Sequence, residues 1–271
     1  MVVEHLLQSN EGLEKSSNVA PPHVYHAEAV VLRRSDLGEA DRIVTLYTPQ
    51  IGKLRAVAKG IRRPTSRLGG HLELFTRSQV LLARGRDLDI VTQAETVDSF
   101  IGLRDDLWRA ASACYAAELL DRLTVEHNPD PAAYQLLVAT LGRIAADRNP
   151  ELAVCFYEVQ LLGYLGYRPQ LHHCVHCREL LGPSANFFSS AAGGVLCLAC
   201  GQADPSARGL TTNAFKLLRL FQSGDYATTA RLRVDEPLRR ELEHVLRGYA
   251  EHILEREVKS AGLLDTLRTV S

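Results

Sequence analysis

Cys174-Val175-His176-Cys177 and, nineteen residues further on, Cys197-Leu198-Ala199-Cys200 set four thiols in two C-x2-C pairs. A C-x2-C turn lets two thiolates reach one ion, and a loop of this length folds back to complete a tetrahedron. Gly182-Pro183-Ser184 and Gly193-Gly194 give that loop its turns. The spacing predicts one zinc ion per chain, held by Cys174, Cys177, Cys197 and Cys200. Cysteine fills all four positions and leaves none for water or substrate, so the ion is expected to be structural. Two disulfides are the alternative use. Met1 to Pro22 is polar and mixed in charge, without the apolar stretch of a secretory signal, and in a reducing cytosol such pairs are more often metal sites. A zinc deaminase would need a Pro-Cys-x-x-Cys, and no proline precedes either pair. His172, His173 and His176 read as exposed loop residues, Cys114 and Cys155 as buried thiols in apolar helical patterns.

The second set of residues is basic. Between Gly52 and Arg86 stand nine cations (Lys53, Arg55, Lys59, Arg62, Arg63, Arg67, Arg77, Arg84 and Arg86) against one acid, Glu73. That stretch carries +8, so a chain of net charge −1 carries −9 elsewhere. Positive charge concentrated in one segment of a near-neutral protein marks a surface for a polyanion. Lys59-Gly60-Ile61-Arg62-Arg63-Pro64-Thr65-Ser66-Arg67 puts four cations on a flexible connection whose glycine and proline keep the backbone open to a phosphate chain. Arg33, Arg34, Lys53 and Arg55 lie on strands expected to neighbour that loop. Only Tyr47 and Phe75 lie near these cations as stacking rings, so contact is expected to be electrostatic, with little reading of bases.

Signatures of catalysis are sparse. The chain has no phosphate-cradling G-x-x-x-x-G-K-[ST], no G-x-G-x-x-G, no H-E-x-x-H and no G-x-S-x-G. Asp105/Asp106 and Asp87/Asp89 read as a helix start and a turn surface. A binding protein is therefore expected rather than an enzyme, with a zinc-ribbon enzyme acting on nucleic acid as the alternative. A sequence-specific transcription factor ranks third, for want of a recognition helix with exposed cations.

These residues need elements to position them. No run approaches the ~18 apolar residues of a membrane span, and 271 residues suffice for two cores. Residues 1–23 read as a disordered leader ending after Pro21-Pro22. Strand patterns follow over 26–34, 41–48, 53–60, 72–84 and 88–99, with turns at Ser35-Asp36-Leu37-Gly38, Pro49-Gln50-Ile51-Gly52 and Gly85-Arg86. Five short strands suggest an OB-fold barrel over 24–100. The period then changes, and residues 101–260 read as a helical domain interrupted by a zinc-binding loop over 168–204. Helices are expected from Asp105, Asp130-Pro131, Asn149-Pro150, Thr211 and Glu236, the last running to Val258. The fold class is α+β, a five-stranded OB-fold barrel followed by an α-helical domain with an inserted four-cysteine zinc loop.

Several stretches, in this order, carry a likeness. They are Ala29-Val30-Val31-Leu32 with Gly38-Glu39-Ala40-Asp41-Arg42-Ile43-Val44, then Ala58-Lys59-Gly60-Ile61-Arg62-Arg63-Pro64 with Ser66-Arg67-Leu68. Tyr157-Glu158-Val159-Gln160-Leu161-Leu162, Leu165-Gly166-Tyr167-Arg168-Pro169, the first cysteine pair and Gly193-Gly194-Val195-Leu196-Cys197 continue it. Over residues 24–258 the chain resembles the bacterial recombination mediator family RecO. That family typically has glycine after the second cysteine, where this chain has Arg178. The resemblance implies a non-enzymatic, cytoplasmic and nucleoid-associated protein of RecF-pathway DNA repair. It implies binding of single- and double-stranded DNA, annealing of complementary strands, and work with RecR and the C-terminal tail of SSB to assist RecA loading. It places DNA contacts in the region of Lys59, Arg62, Arg63 and Arg67.

Overall fold

The computed structural model describes residues 23–147 and 149–270, and the expected leader, His23 apart, lies outside them. The chain opens with β1 (Val24–Leu37), β2 (Asp41–Thr48), β3 (Gly52–Ala58), β4 (Arg77–Ala83) and β5 (Asp89–Asp98). β1 is long enough to pair twice, its first half with β4 and its second half with β2, both antiparallel. β3 meets β5 in parallel at Ala56–Asp89 and Val57–Ile90, so the order β1-β2-β3-β5-β4 closes on itself. The five-stranded barrel expected from the sequence is present, closed by this short parallel seam.

Two expected boundaries move. Ser35, Asp36 and Leu37, read as a turn, extend β1, because they pair with Ile43, Arg42 and Asp41. Leu72–Thr76, read as the start of a strand, instead begins with the last residue of a 3-10 turn (Gly70–Leu72) and passes through Phe75 at φ +66°. That turn drives Leu72 into the barrel interior beside Leu54, Val80 and Val91.

Strand alternation then does double duty. Ala27, Ala29 and Val31 point into the barrel, while Val30 and Leu32, on the opposite face of β1, join the core of the helical part. On β2, Val44 and Leu46 face inward and Tyr47 faces the helices. The barrel is therefore apolar on two faces where the helices cover it.

The helical part runs α1 (Leu107–Leu123), α2 (Pro131–Ala146), α3 (Pro150–Tyr164), then a ribbon of β6 (Asn186–Ser189), β7 (Gly194–Leu196), α4 (Leu198–Ala203) and β8 (Arg208–Leu210). α5 (Thr212–Ser223), α6 (Tyr226–Thr229), α7 (Glu236–Leu254) and α8 (Lys259–Val270) complete it. The starts follow from side-chain caps: Asp106, Asp130, Thr211 and Asp235 each accept the backbone N–H three residues on. Pro131 and Pro150 occupy first-turn positions where their missing N–H costs nothing. The single helix expected to reach Val258 ends at Glu255, which adopts φ +52°, and α8 follows. Glu118 on α1 accepts the N–H groups of Lys259 and Ser260 at 3.1 and 2.7 Å and fixes where α8 begins.

α3 lies at the centre. Leu152, Cys155, Phe156 and Val159 are spaced as one apolar stripe, yet every residue from Leu152 through Val159 is buried. Glu158 is among them, 2% exposed, with its Oε1 accepting the Tyr115 hydroxyl at 2.5 Å. Burial pushes its pKa up to about 8, against the Tyr115 hydrogen bond and with help from Glu243, which favours the uncharged carboxyl in the core. Among the described residues no helix is long and apolar enough to cross a membrane.

A tight joint fixes barrel to helices. Lys53 Nζ donates to the carbonyls of Asp121 and Thr124, the latter at 2.6 Å, and lies 3.1 Å from Asp121 Oδ1. A cation there satisfies the unpaired carbonyls at the C-terminal end of α1. Gly52 beside it has φ +78°, and a Cβ would fall 2.3 Å from the Asn128 carbonyl oxygen. Only glycine allows that approach.

Candidate nucleic-acid interface and metal centre

The loop between β3 and β4 begins with Gly60 at φ +65°, whose N–H donates to Asp41 Oδ1 at 2.7 Å. Arg62 N–H donates to the Ala40 carbonyl at 3.0 Å, and Arg63 and Ser66 N–H groups close successive turns at 3.0 and 2.9 Å. Ile61, 5% exposed, inserts into the barrel interior with Leu72 behind it. The connection read as flexible is thus pinned by an apolar plug and a run of turns. Its cations point the other way: Lys59, Arg62, Arg63 and Arg67 are all exposed.

The structure divides the eight expected cations into two groups. On the strands, Arg33 lies 3.7 Å from Asp121, Arg34 2.6 Å from Glu73 and Arg55 2.7 Å from Glu126, while Lys53 sits in the joint described above. Three of these four are matched by carboxylates on or just after α1. Arg33, at 65% side-chain exposure, and Arg55 remain reachable from solvent, and exposed pairs of this kind contribute little energy. Lys53, at 12%, is a structural residue. On the loop, Arg62 alone has an acidic neighbour, Asp36 at 3.3 Å. Arg42 hydrogen-bonds Asp36 and, with Arg62 close by, holds that carboxyl below the usual carboxylate range. Lys59, Arg63 and Arg67 have no ion pair among the described residues.

Strand register brings two further cations to the same end. Ala58, just before Lys59, pairs with Arg42 at the start of β2. Val57 pairs with Ile90, and Ile90 with Ala83, so the β4–β5 turn carrying Arg84 and Arg86 opens beside the end of β3. Both are exposed, and Arg84 lies 5.1 Å over the Tyr25 ring. They were counted in the charge of the segment but not among its candidate contacts. The strand pattern around Gly85-Arg86 was the signal that could have placed them.

The cysteine loop converges differently. Four sulfurs, from Cys174, Cys177, Cys197 and Cys200, lie within 4.8 Å of one another. Cys177 and Cys197 sulfurs are 3.7 Å apart, far beyond a disulfide bond and close to the edge of a tetrahedron with metal–sulfur bonds of about 2.3 Å. The set can bind a metal ion. Cys197 stands just before α4, whose first turn returns Cys200. Gln170 and Val175 fasten the first pair to β7 through backbone bonds to Gly193 and Val195 at 3.0 Å. Gly194 permits this, since a Cβ there would lie 2.4 Å from the Gln170 carbonyl oxygen.

The electrostatics of the cluster suit a cation. Burial raises the Cys174 thiol, but backbone N–H groups of Cys197, Cys177 and His176 outweigh it and bring the pKa down to about 6. Cys200 moves to about 12, through its hydrogen bond with Cys197 first and burial next. Thiols this close resist sharing negative charge, and a bound cation inverts that penalty. Arg178, directly after the pair, has φ +64°, the left-handed conformation in which glycine is at ease. His172, His173 and His176 are exposed as expected, and Cys155 is fully buried while Cys114 is partly so.

Comparison with known proteins agrees with this architecture. Residues 23–100 match the profile described as Recombination protein O N terminal, and residues 104–261 that described as Recombination protein O C terminal. A protein named DNA repair protein RecO from Roseiflexus sp. (strain RS-1) is 46% identical over 245 residues, which is 90% of this chain and 86% of the relative. Proteins of the same name from Dehalococcoides mccartyi (strain BAV1) and Pelotomaculum thermopropionicum are 37% and 39% identical, over 91% and 89% of this chain and 97% and 94% of theirs.

Proposed function

The chain belongs to the RecO family, and from that premise we propose that it is a DNA-repair protein whose barrel binds single- and double-stranded DNA through its loop end. The observation that carries this reading is the set of six exposed cations, Lys59, Arg62, Arg63, Arg67, Arg84 and Arg86, gathered at one end of a five-stranded barrel. OB-fold barrels meet oligonucleotides along this strand face and its flanking loops. The cations meet phosphates, which neutralises two like-charged strands and lets them pair without nucleotide or covalent chemistry. The cysteine cluster holds one zinc ion that stabilises the ribbon and takes no part in DNA contact.

On this reading the chain anneals complementary strands and, with RecR and SSB, assists RecA loading in the cytoplasm. SSB-coated strands require a contact with SSB itself, because charge competition alone displaces a tight protein slowly. The acidic, apolar-ended tail of SSB needs an apolar slot beside cations. The slot lined by Trp108, Val154 and Leu264 is apolar, but Glu151, Glu158 and Glu243 line it as well and its Arg247 and Arg268 are paired with Asp265 and Glu243, so it does not meet that need. Annealing of strands coated with tailed and tail-deleted SSB tests the reading. Fast annealing on the first and stalling on the second is expected, and equal rates remove SSB from the mechanism.

A further inference from the structure

A second run of cations lies away from the barrel, where the end of α3 and the loop after it meet α5. Three hydrogen bonds close this seam. The Gln160 amide donates to the Phe221 carbonyl, Gln222 to the Pro169 carbonyl at 2.7 Å, and Arg219 to His172 Nδ1 at 2.9 Å. Arg168 and Arg219 flank His172, and Lys216 lies one helical turn before Arg219 on the same face of α5. Among the described residues no carboxylate lies within ion-pair distance of Arg168, Lys216 or Arg219.

Two aromatic rings accompany them. Tyr164, the last residue of α3 and one turn beyond Gln160, is 48% exposed, and Tyr167, next to Arg168, is 44% exposed. The barrel shows the opposite arrangement: Lys59, Arg63 and Arg67 on its loop are exposed cations, but Tyr47 and Phe75 are 0% and 8% exposed. Exposed rings among cations that no carboxylate neutralises suit a single strand, the rings stacking on bases and the cations meeting phosphates. An acidic peptide would use the cations and leave the tyrosines without a role.

We propose that this seam binds a second single strand of nucleic acid while the loop end of the barrel holds the first. The annealing reading gives the arrangement its purpose, since two strands on one chain meet at a high effective concentration. The test does not require annealing.

Donor- and acceptor-labelled oligothymidylates of about 12 nucleotides, which cannot pair with each other, are titrated onto dilute full-length protein, with strands per chain counted by sedimentation. Two strands per chain, with energy transfer between them, are expected. The double variant Tyr164→Ala/Tyr167→Ala should weaken the second strand about tenfold or more and leave the first unchanged. Tyr164→Phe/Tyr167→Phe should retain both, because phenylalanine stacks equally well. Should the alanine pair disturb folding, seen in its melting curve, Arg168→Glu alone repeats the measurement on an exposed side chain. One strand per wild-type chain overturns the proposal, as does an alanine variant that keeps both. So does an alanine variant that keeps both strands but loses an acidic peptide, which reassigns the seam to a protein partner. Two-strand binding without annealing would remove the annealing reading and leave this site standing.

Discussion

The basic loop after β3 and the cysteine loop after α3 are built from similar material: glycine and proline turns, few regular elements, and side chains of one chemical kind. They differ in where those side chains point. The four thiols turn inward on a common centre, and Leu181, Phe188 and Val195 around them join the main core. In the basic loop the backbone is tied down by Ile61 and Leu72 so that the cations turn outward. One loop uses its reactive groups to build structure, and the other uses structure to keep its groups free.

The cysteine loop should show the largest effect. On the proposed zinc reading, Cys197→Ser or a chelator removes a term that in structural zinc sites amounts to ~10–16 kcal/mol. The expected outcome is rapid proteolysis within residues 168–204 and a large fall in melting temperature. An unchanged melting curve in metal-free protein would mean that packing alone holds this loop, and the contrast with the basic loop would vanish.

Next comes the replacement of Lys59, Arg62, Arg63 and Arg67 by alanine. DNA affinity should fall tenfold or more for every sequence, and the slope of log affinity against log salt should fall by about 0.7 per lost contact on single strands. The melting temperature should barely move, since of these side chains only Arg62 touches a neighbour, through an exposed pair with Asp36 that contributes little. A loss of stability as large as the loss of affinity would make the basic loop structural after all.

Lys53 sharpens the division within the expected DNA set. Lys53→Met leaves the carbonyls of Asp121 and Thr124 and the Asp121 carboxylate without their donor, at a cost of roughly 2–3 kcal/mol in a urea titration. Salt dependence of DNA binding should stay as in the parent chain. The smallest effect is expected at Arg178. Arg178→Gly relieves a left-handed backbone and should add about 1 kcal/mol to stability, whereas Arg178→Ala should add none.

The sequence revealed what depends on neighbours along the chain. Two C-x2-C pairs locate the four converging thiols, Asp130-Pro131 announces α2, and alternation along Ala27, Ala29 and Val31 fixes the barrel interior. What it withheld depends on residues far away. Whether a strand cation is free was decided by Asp121, Glu126 and Glu73, which no local pattern links to Arg33, Arg55 or Arg34. Nothing local marks Glu158 for the core, which encloses it only because the remaining helices close around α3. The break at Glu255 has no glycine or proline to mark it.

The outward face of β1, where Val30 and Leu32 belong to the helical core, bears on how this protein can be divided or borrowed. The boundary between its two halves near residue 100 looks like a place to cut, but each half released there would carry a greasy scar. The barrel would expose Val30, Leu32 and Tyr47, and the helices would expose the surface that covered them. Grafted alone onto another scaffold, the barrel should aggregate unless those three positions are made polar. The basic end therefore cannot be lent out without its helices, and its orientation relative to the ribbon is inherited as one piece.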